Sequence, residues 1–136
     1  MSDRTVTEPE PAWAARWAGA LLCLVVAGIH VVDQGGVTAT RDPTYVGIAY
    51  HVLEIAAVVA AVLLLMRLVR PGWLLAAGVA AGPVLGYLLS RGPGLPDYSD
   101  DVGNWTEPLG LASLAVEGAL LLVSVPLLAW SLRPRS

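Results

Sequence analysis

The chain contains no phenylalanine and no lysine, a single cysteine, and few charges of either sign. The lone Cys23 excludes an internal disulfide and a thiolate metal cluster, and it reads as a small buried hydrophobe. Charged residues are 14% of the 136 positions, against roughly 25% in a soluble domain. The net charge of −3 offers no basic patch for a nucleic acid. No nucleophile elbow, phosphate loop or dinucleotide fingerprint occurs, so an independent enzyme is not supported. All 8 basic residues are arginine, which alongside the abundant Ala, Gly, Leu and Val reads as the codon bias of a GC-rich genome.

What the chain does have is hydrocarbon: 56% of its residues are hydrophobic. Four apolar segments stand out, at about 13–32, 45–66, 73–90 and 108–132. Each is near the ~20 residues a helix needs to cross a bilayer. The first lacks a small-x-small cleavage site before Asp33 and reads as an uncleaved span. Residues 1–12, with Pro9 and Pro11, read as a short disordered tail, and 133–136 as a second tail. The expected fold is an all-α membrane protein, an up-down-up-down bundle of four transmembrane helices.

Arginine placement orients it. Arg4, Arg16, Arg67, Arg70, Arg133 and Arg135 fall at one end, and only Arg41 and Arg91 at the other. The positive-inside bias puts both termini in the cytoplasm, in a bacterial cytoplasmic membrane. The loops at 33–44 and 91–107 then face outward and are acidic. Asp97, Asp100 and Asp101 in the second loop lack the spacing of an EF-hand. Trp and Tyr fall mostly near span ends, as interfacial belts would place them. Gly78, Gly82, Gly86 and Ser90 form a smooth stripe on the third span, where another helix can approach closely; Pro83 lies within it.

Two histidines and two glutamates sit inside the spans: His30, His51, Glu54 and Glu117. Each costs about 2.5–3.5 kcal/mol at membrane depth and is a functional-site hypothesis by default. Glu54 lies nine residues past Tyr45, and Glu117 nine residues past Pro108. Both glutamates therefore sit about 14 Å below the outer ends of their spans. His51 and Glu54 share a helical face at i, i+3, as do His30 and Asp33.

Two imidazoles and two carboxylates suit a divalent transition metal, Zn, Fe, Mn or Cu. The first expectation is thus a metal site in an outward-facing polar cavity, serving metal handling or redox support. His30, His51, Glu54 and Glu117 are its ligands; Asp33, Tyr87, Arg91 and Glu107 are its outer shell and entry. Arg91 is expected to pair with an outer carboxylate, and Tyr87 to cap the cavity. Three alternatives use the same residues differently. Paired histidines, with Gly28 and Gly47 making room, would hold haem b. Glu54 and Glu117 would be relays of a proton-coupled carrier. A buried polar cluster would set helix register in an accessory subunit, within a homo-oligomer or a larger membrane complex.

The segments His30-Val-Val-Asp-Gln-Gly-Gly, Pro43-Thr-Tyr-Val-Gly, Ser90-Arg-Gly-Pro-Gly-Leu-Pro and Trp105-Thr-Glu-Pro-Leu-Gly-Leu, with Ser113-Leu and Glu117, carry a resemblance. The chain resembles small four-helix integral membrane proteins of GC-rich Gram-positive, actinobacterial type, over about residues 13–130. The resemblance implies topology and membrane residence, and no catalytic residue.

Overall fold

The computed structural model describes residues 10–134. They form four helices: α1 Glu10–Gln34, α2 Thr44–Leu65, α3 Val69–Arg91 and α4 Pro108–Ser131. All four are long and apolar enough to cross a membrane. No strand occurs among the described residues. Residues 1–9 of the expected N-terminal tail and residues 135–136 of the second tail lie outside them.

Boundaries differ most from the sequence reading in two helices, α1 and α3. Helix α1 begins at Glu10, inside the expected tail, and runs two residues past Val32. Helix α3 begins at Val69, four residues before Trp73, because Pro71 falls in its first turn. There a missing N–H breaks no intrahelical bond, so the proline is tolerated. Helix α1 ends in a Schellman motif: the Gly36 N–H donates to Val31 O (2.9 Å) and the Gly35 N–H to Val32 O (3.1 Å). Gly35 supplies the required positive φ of 99°.

The bundle is inside-out relative to a soluble one. Leu21, Ile48, Ile55, Leu74 and Leu122 face outward, Leu122 at 79% exposure, while Glu117, Ser124 and Glu54 are buried. That arrangement suits hydrocarbon outside, and the chain is a multi-pass membrane protein. Exposed Trp13, Trp17 and Trp130 ring one end, and Tyr45 and Trp105 stand at the other. Trp73 departs from this belt and is a core residue, 2% exposed.

Close approach between α1 and α2 comes from small side chains. Ala20, Cys23 and Ala27 on α1, with Ala57, Ala60 and Ala61 on α2, all belong to the buried cluster. Two arginines then tie the arginine-rich end. Arg16 donates to Leu64 O (3.1 Å) at the end of α2, and Arg70 to Ser131 O (2.9 Å) at the end of α4. Cationic donors at C-terminal carbonyls satisfy groups that the helix leaves open and oppose its dipole.

Gly19 shows how tight this end is. A Cβ there would lie 2.7 Å from the Trp73 ring and 3.2 Å from Leu64. Gly82 is the reverse, with nothing within 4 Å of its would-be Cβ. Gly19→Ala should therefore cost about 1–3 kcal/mol through overpacking, while Gly82→Ala should be neutral or stabilising by up to about 1 kcal/mol, since it removes a glycine from a helix interior with room to spare. Thermal unfolding of both variants in nanodiscs checks this; equal melting temperatures would contradict the packing described.

Candidate functional site

A cavity of about 590 Å³ runs between α2 and α3, with α1 and α4 at its back. Val52, Leu53 and Ala56 form one wall. Gly78, Gly82 and Gly86 form the other, and a Cβ at any of the three would meet nothing within 4 Å. The small-residue stripe of α3 therefore borders open space; no helix packs on it. Val52, Gly78 and Gly82, mid-span residues that line it, are themselves exposed. The cavity thus opens sideways, on the face a bilayer would cover.

Its deep polar patch comes from α1 and α4. His30 is 9% exposed and Glu117 1%. His30 Nδ1 lies 2.8 Å from Val26 O. A carbonyl only accepts, so Nδ1 carries a proton, and Nε2 is turned toward Glu117 Oε1 at 4.0 Å. Ser113, one turn before Glu117 on α4, donates to the same Oε1 at 2.5 Å. The Tyr50 ring meets the His30 ring edge-on, 5.2 Å between centroids.

The acidic loops close the end above this patch with one connected lattice. Arg41 pairs with Asp33 (2.9 Å) and donates to Asp33 O (2.8 Å) and to the Tyr98 hydroxyl (2.9 Å). Tyr50 donates to the other Asp33 oxygen. Tyr98 donates to Asp101 (2.6 Å). Burial, with this bond to Asp101, pushes the Tyr98 phenol up to about 12. Arg91 lies 3.9 Å from Asp101, pairs with Glu107 at 3.0 Å and donates to Asn104 O at 3.1 Å. Its guanidinium stacks 4.2 Å over the Tyr87 ring, and Tyr87 donates to Trp105 O. Gly110 lets α4 come this close: a Cβ there would lie 2.9 Å from Tyr87 and 3.2 Å from both Arg91 and Glu107.

His51 and Glu54 lie apart from the cavity. Their own contact is 3.4 Å, and Gln34 donates to the same Glu54 oxygen at 3.4 Å. The other oxygens, Glu54 Oε1 and Gln34 Oε1, are buried and unpaired. The four membrane-depth residues thus form two pairs, His30 with Glu117 and His51 with Glu54. Helical geometry gives the reason. On α2 the cavity face is Val46, Ala49, Tyr50 and Leu53; stepping one residue, to His51 or Glu54, turns a side chain about 100° away. Among the described residues no three His, Cys, Asp or Glu side chains are grouped as a metal site would need.

Asp33, Tyr87, Arg91 and Glu107 all line the cavity. Arg41 and Tyr98, whose roles depend on loop paths that carry no periodic signal, and Tyr50, whose role depends on the rotation of α2, are not singled out by the sequence. The chain matches no protein-family model, no curated protein and no solved structure.

Arg91 holds the loop through two independent acceptors, Asn104 O and Glu107. Arg91→Met should raise amide hydrogen exchange across residues 92–106 by about tenfold or more, leaving the four helices protected. Unchanged exchange in the loop would show that the lattice does not order it.

Proposed function

We propose that this protein binds an amphiphilic small molecule, with an apolar body and a polar head, taken sideways from the bilayer into the cavity between α2 and α3. One observation carries the reading: the glycine face of α3 borders a cavity of about 590 Å³. That volume falls within the ~300–1,000 Å³ of small-molecule sites. Apolar walls with a polar patch at one end match a ligand of the same polarity. On the orientation favoured by the arginine bias, the patch lies toward the outer leaflet of a bacterial cytoplasmic membrane.

The metal and haem readings draw less support from the geometry. Each pair supplies one imidazole and one carboxyl, whereas a zinc site takes at least three protein ligands. His30 and His51 lie on different faces, as a bis-histidine haem would not allow. Gly47 leaves no room for a macrocycle, since a Cβ there would lie 2.7 Å from Arg41 O.

Gly82→Leu places a branched side chain into the cavity. Native mass spectrometry of the protein released from nanodiscs should find a bound amphiphile on the wild type, and retention reduced about tenfold or more in Gly82→Leu, a loss of at least ~1.4 kcal/mol. Identical adducts on both proteins would reject the cavity as the binding site.

A further inference from the structure

The hydrogen-bond arithmetic of the cavity wall narrows the ligand's head group, an inference that rests on the binding reading above. Six hydroxyls line the cavity: Tyr45, Tyr50, Tyr87, Ser90, Tyr98 and Ser113. Every one already donates its proton to a protein acceptor. Most N–H groups of the two guanidiniums are engaged as well, Arg41 with Asp33 and the Tyr98 hydroxyl, Arg91 with Asn104 O, Ser90 and Glu107. The Arg41 Nε–H is buried and has no partner. His30 Nδ1 is occupied by Val26 O.

What remains open at depth accepts protons. Glu117 Oε1 takes the Ser113 hydroxyl, and Glu117 Oε2 has no hydrogen bond among the described residues. His30 Nε2 faces the same space with no bond of its own, 4.0 Å from the carboxyl. The charge count points the same way. Four carboxyls line the cavity, Asp33, Asp101, Glu107 and Glu117, against the guanidiniums of Arg41 and Arg91. A carboxyl or phosphate head would meet acceptors at depth and, above them, guanidiniums that already face carboxylates. Buried polar groups left unpaired oppose binding strongly, so such a wall discriminates by head group.

We infer that the cavity selects a cationic amphiphile, a protonated amine on a hydrocarbon body, whose N–H groups are received by Glu117 and His30. An alcohol of equal length brings one donor and no charge, and ranks below the amine. A carboxylate brings neither and ranks last.

The test uses three photoreactive probes with one alkyl chain bearing a diazirine and ending in a primary amine, a hydroxyl or a carboxylate. Each is added to the full chain in zwitterionic nanodiscs and irradiated. Tandem mass spectrometry then compares labelling of Leu53, Ala56 and Val79 with that of lipid-facing Leu122, which corrects for partitioning into the bilayer. The amine should label the cavity about tenfold more than the carboxylate, with the alcohol between them. Excess untagged alkylamine should compete the label away. Glu117→Gln, which keeps the shape and one acceptor, should bring the amine down to the level of the alcohol. Equal labelling by all three probes, or preference for the carboxylate, would overturn the head-group inference while leaving the cavity a binding site. An amine preference that survives Glu117→Gln would equally remove Glu117 from it. Absence of competable labelling from every probe would instead overturn the binding reading.

Discussion

The bundle depends on being tied at both ends. Helices in lipid gain nothing from hiding apolar surface from one another, because the tails outside are as apolar as the neighbouring helix. An open volume between α2 and α3 should therefore collapse or fill with lipid unless the helix ends are fixed. At one end Arg16 and Arg70 hold the last carbonyls of α2 and α4, and Trp73 is pressed against Gly19. At the other, a chain of contacts runs from Asp33 through Arg41, Tyr98, Asp101 and Arg91 to Glu107. It joins α1, both long loops, α3 and the start of α4. Partly buried ion pairs of this kind add little net stability, since desolvation offsets their attraction. Their consequence here is geometric: they fix where the helices stand, and so keep the cavity open.

The same lattice changes the meaning of the charges around it. An isolated arginine near the mouth of a membrane cavity would draw anionic head groups. Arg41 and Arg91 do not stand free for that purpose, since each faces a carboxylate within 3.0 Å. The acid in excess is Glu117, deeper and without a guanidinium beside it. The electrostatic character of the site therefore comes from the least exposed charge-bearing group, not from the conspicuous acidic loops above.

Much of this was readable in the sequence, and the failures have physical causes. The four spans follow from apolar length, and both ends of the bundle from arginine placement. Glu117 and His30 stand out because ionisable groups inside hydrocarbon are costly. Depth alone, however, fixes only one of the two coordinates that locate a side chain on a helix. The second is rotation, and α2 has little amphipathic contrast to reveal it: residues on nearly every side are apolar. Tyr50 and His51 are adjacent in sequence, at nearly equal depth, and only one faces the cavity. Hence the shared depth of Glu54 and Glu117 is legible, but the division of the four residues into two pairs is not. The lattice was hidden for a different reason. Its members Arg41, Tyr98 and Asp101 lie in loops, whose paths are set by single glycines and tertiary contacts with no repeat to read.

The glycine stripe of α3 shows why a motif needs its surroundings. Small residues at four-residue spacing usually let two membrane helices approach until their backbones nearly touch. The same surface left uncovered is a shallow trough one side chain deep. Which outcome occurs depends on how the neighbours are held. Here α2 presents Leu53 and Ala56 across the gap, and the end ties keep it from closing on Gly78 and Gly82. Glycine is then serving to leave room, and the room continues to Glu117, a buried carboxyl with an oxygen to offer. A stripe that merely packed helices would have no need of Glu117, and a carboxyl that merely set register would have no need of the open stripe. Their joint presence around a single cavity is what favours a ligand over a purely structural role.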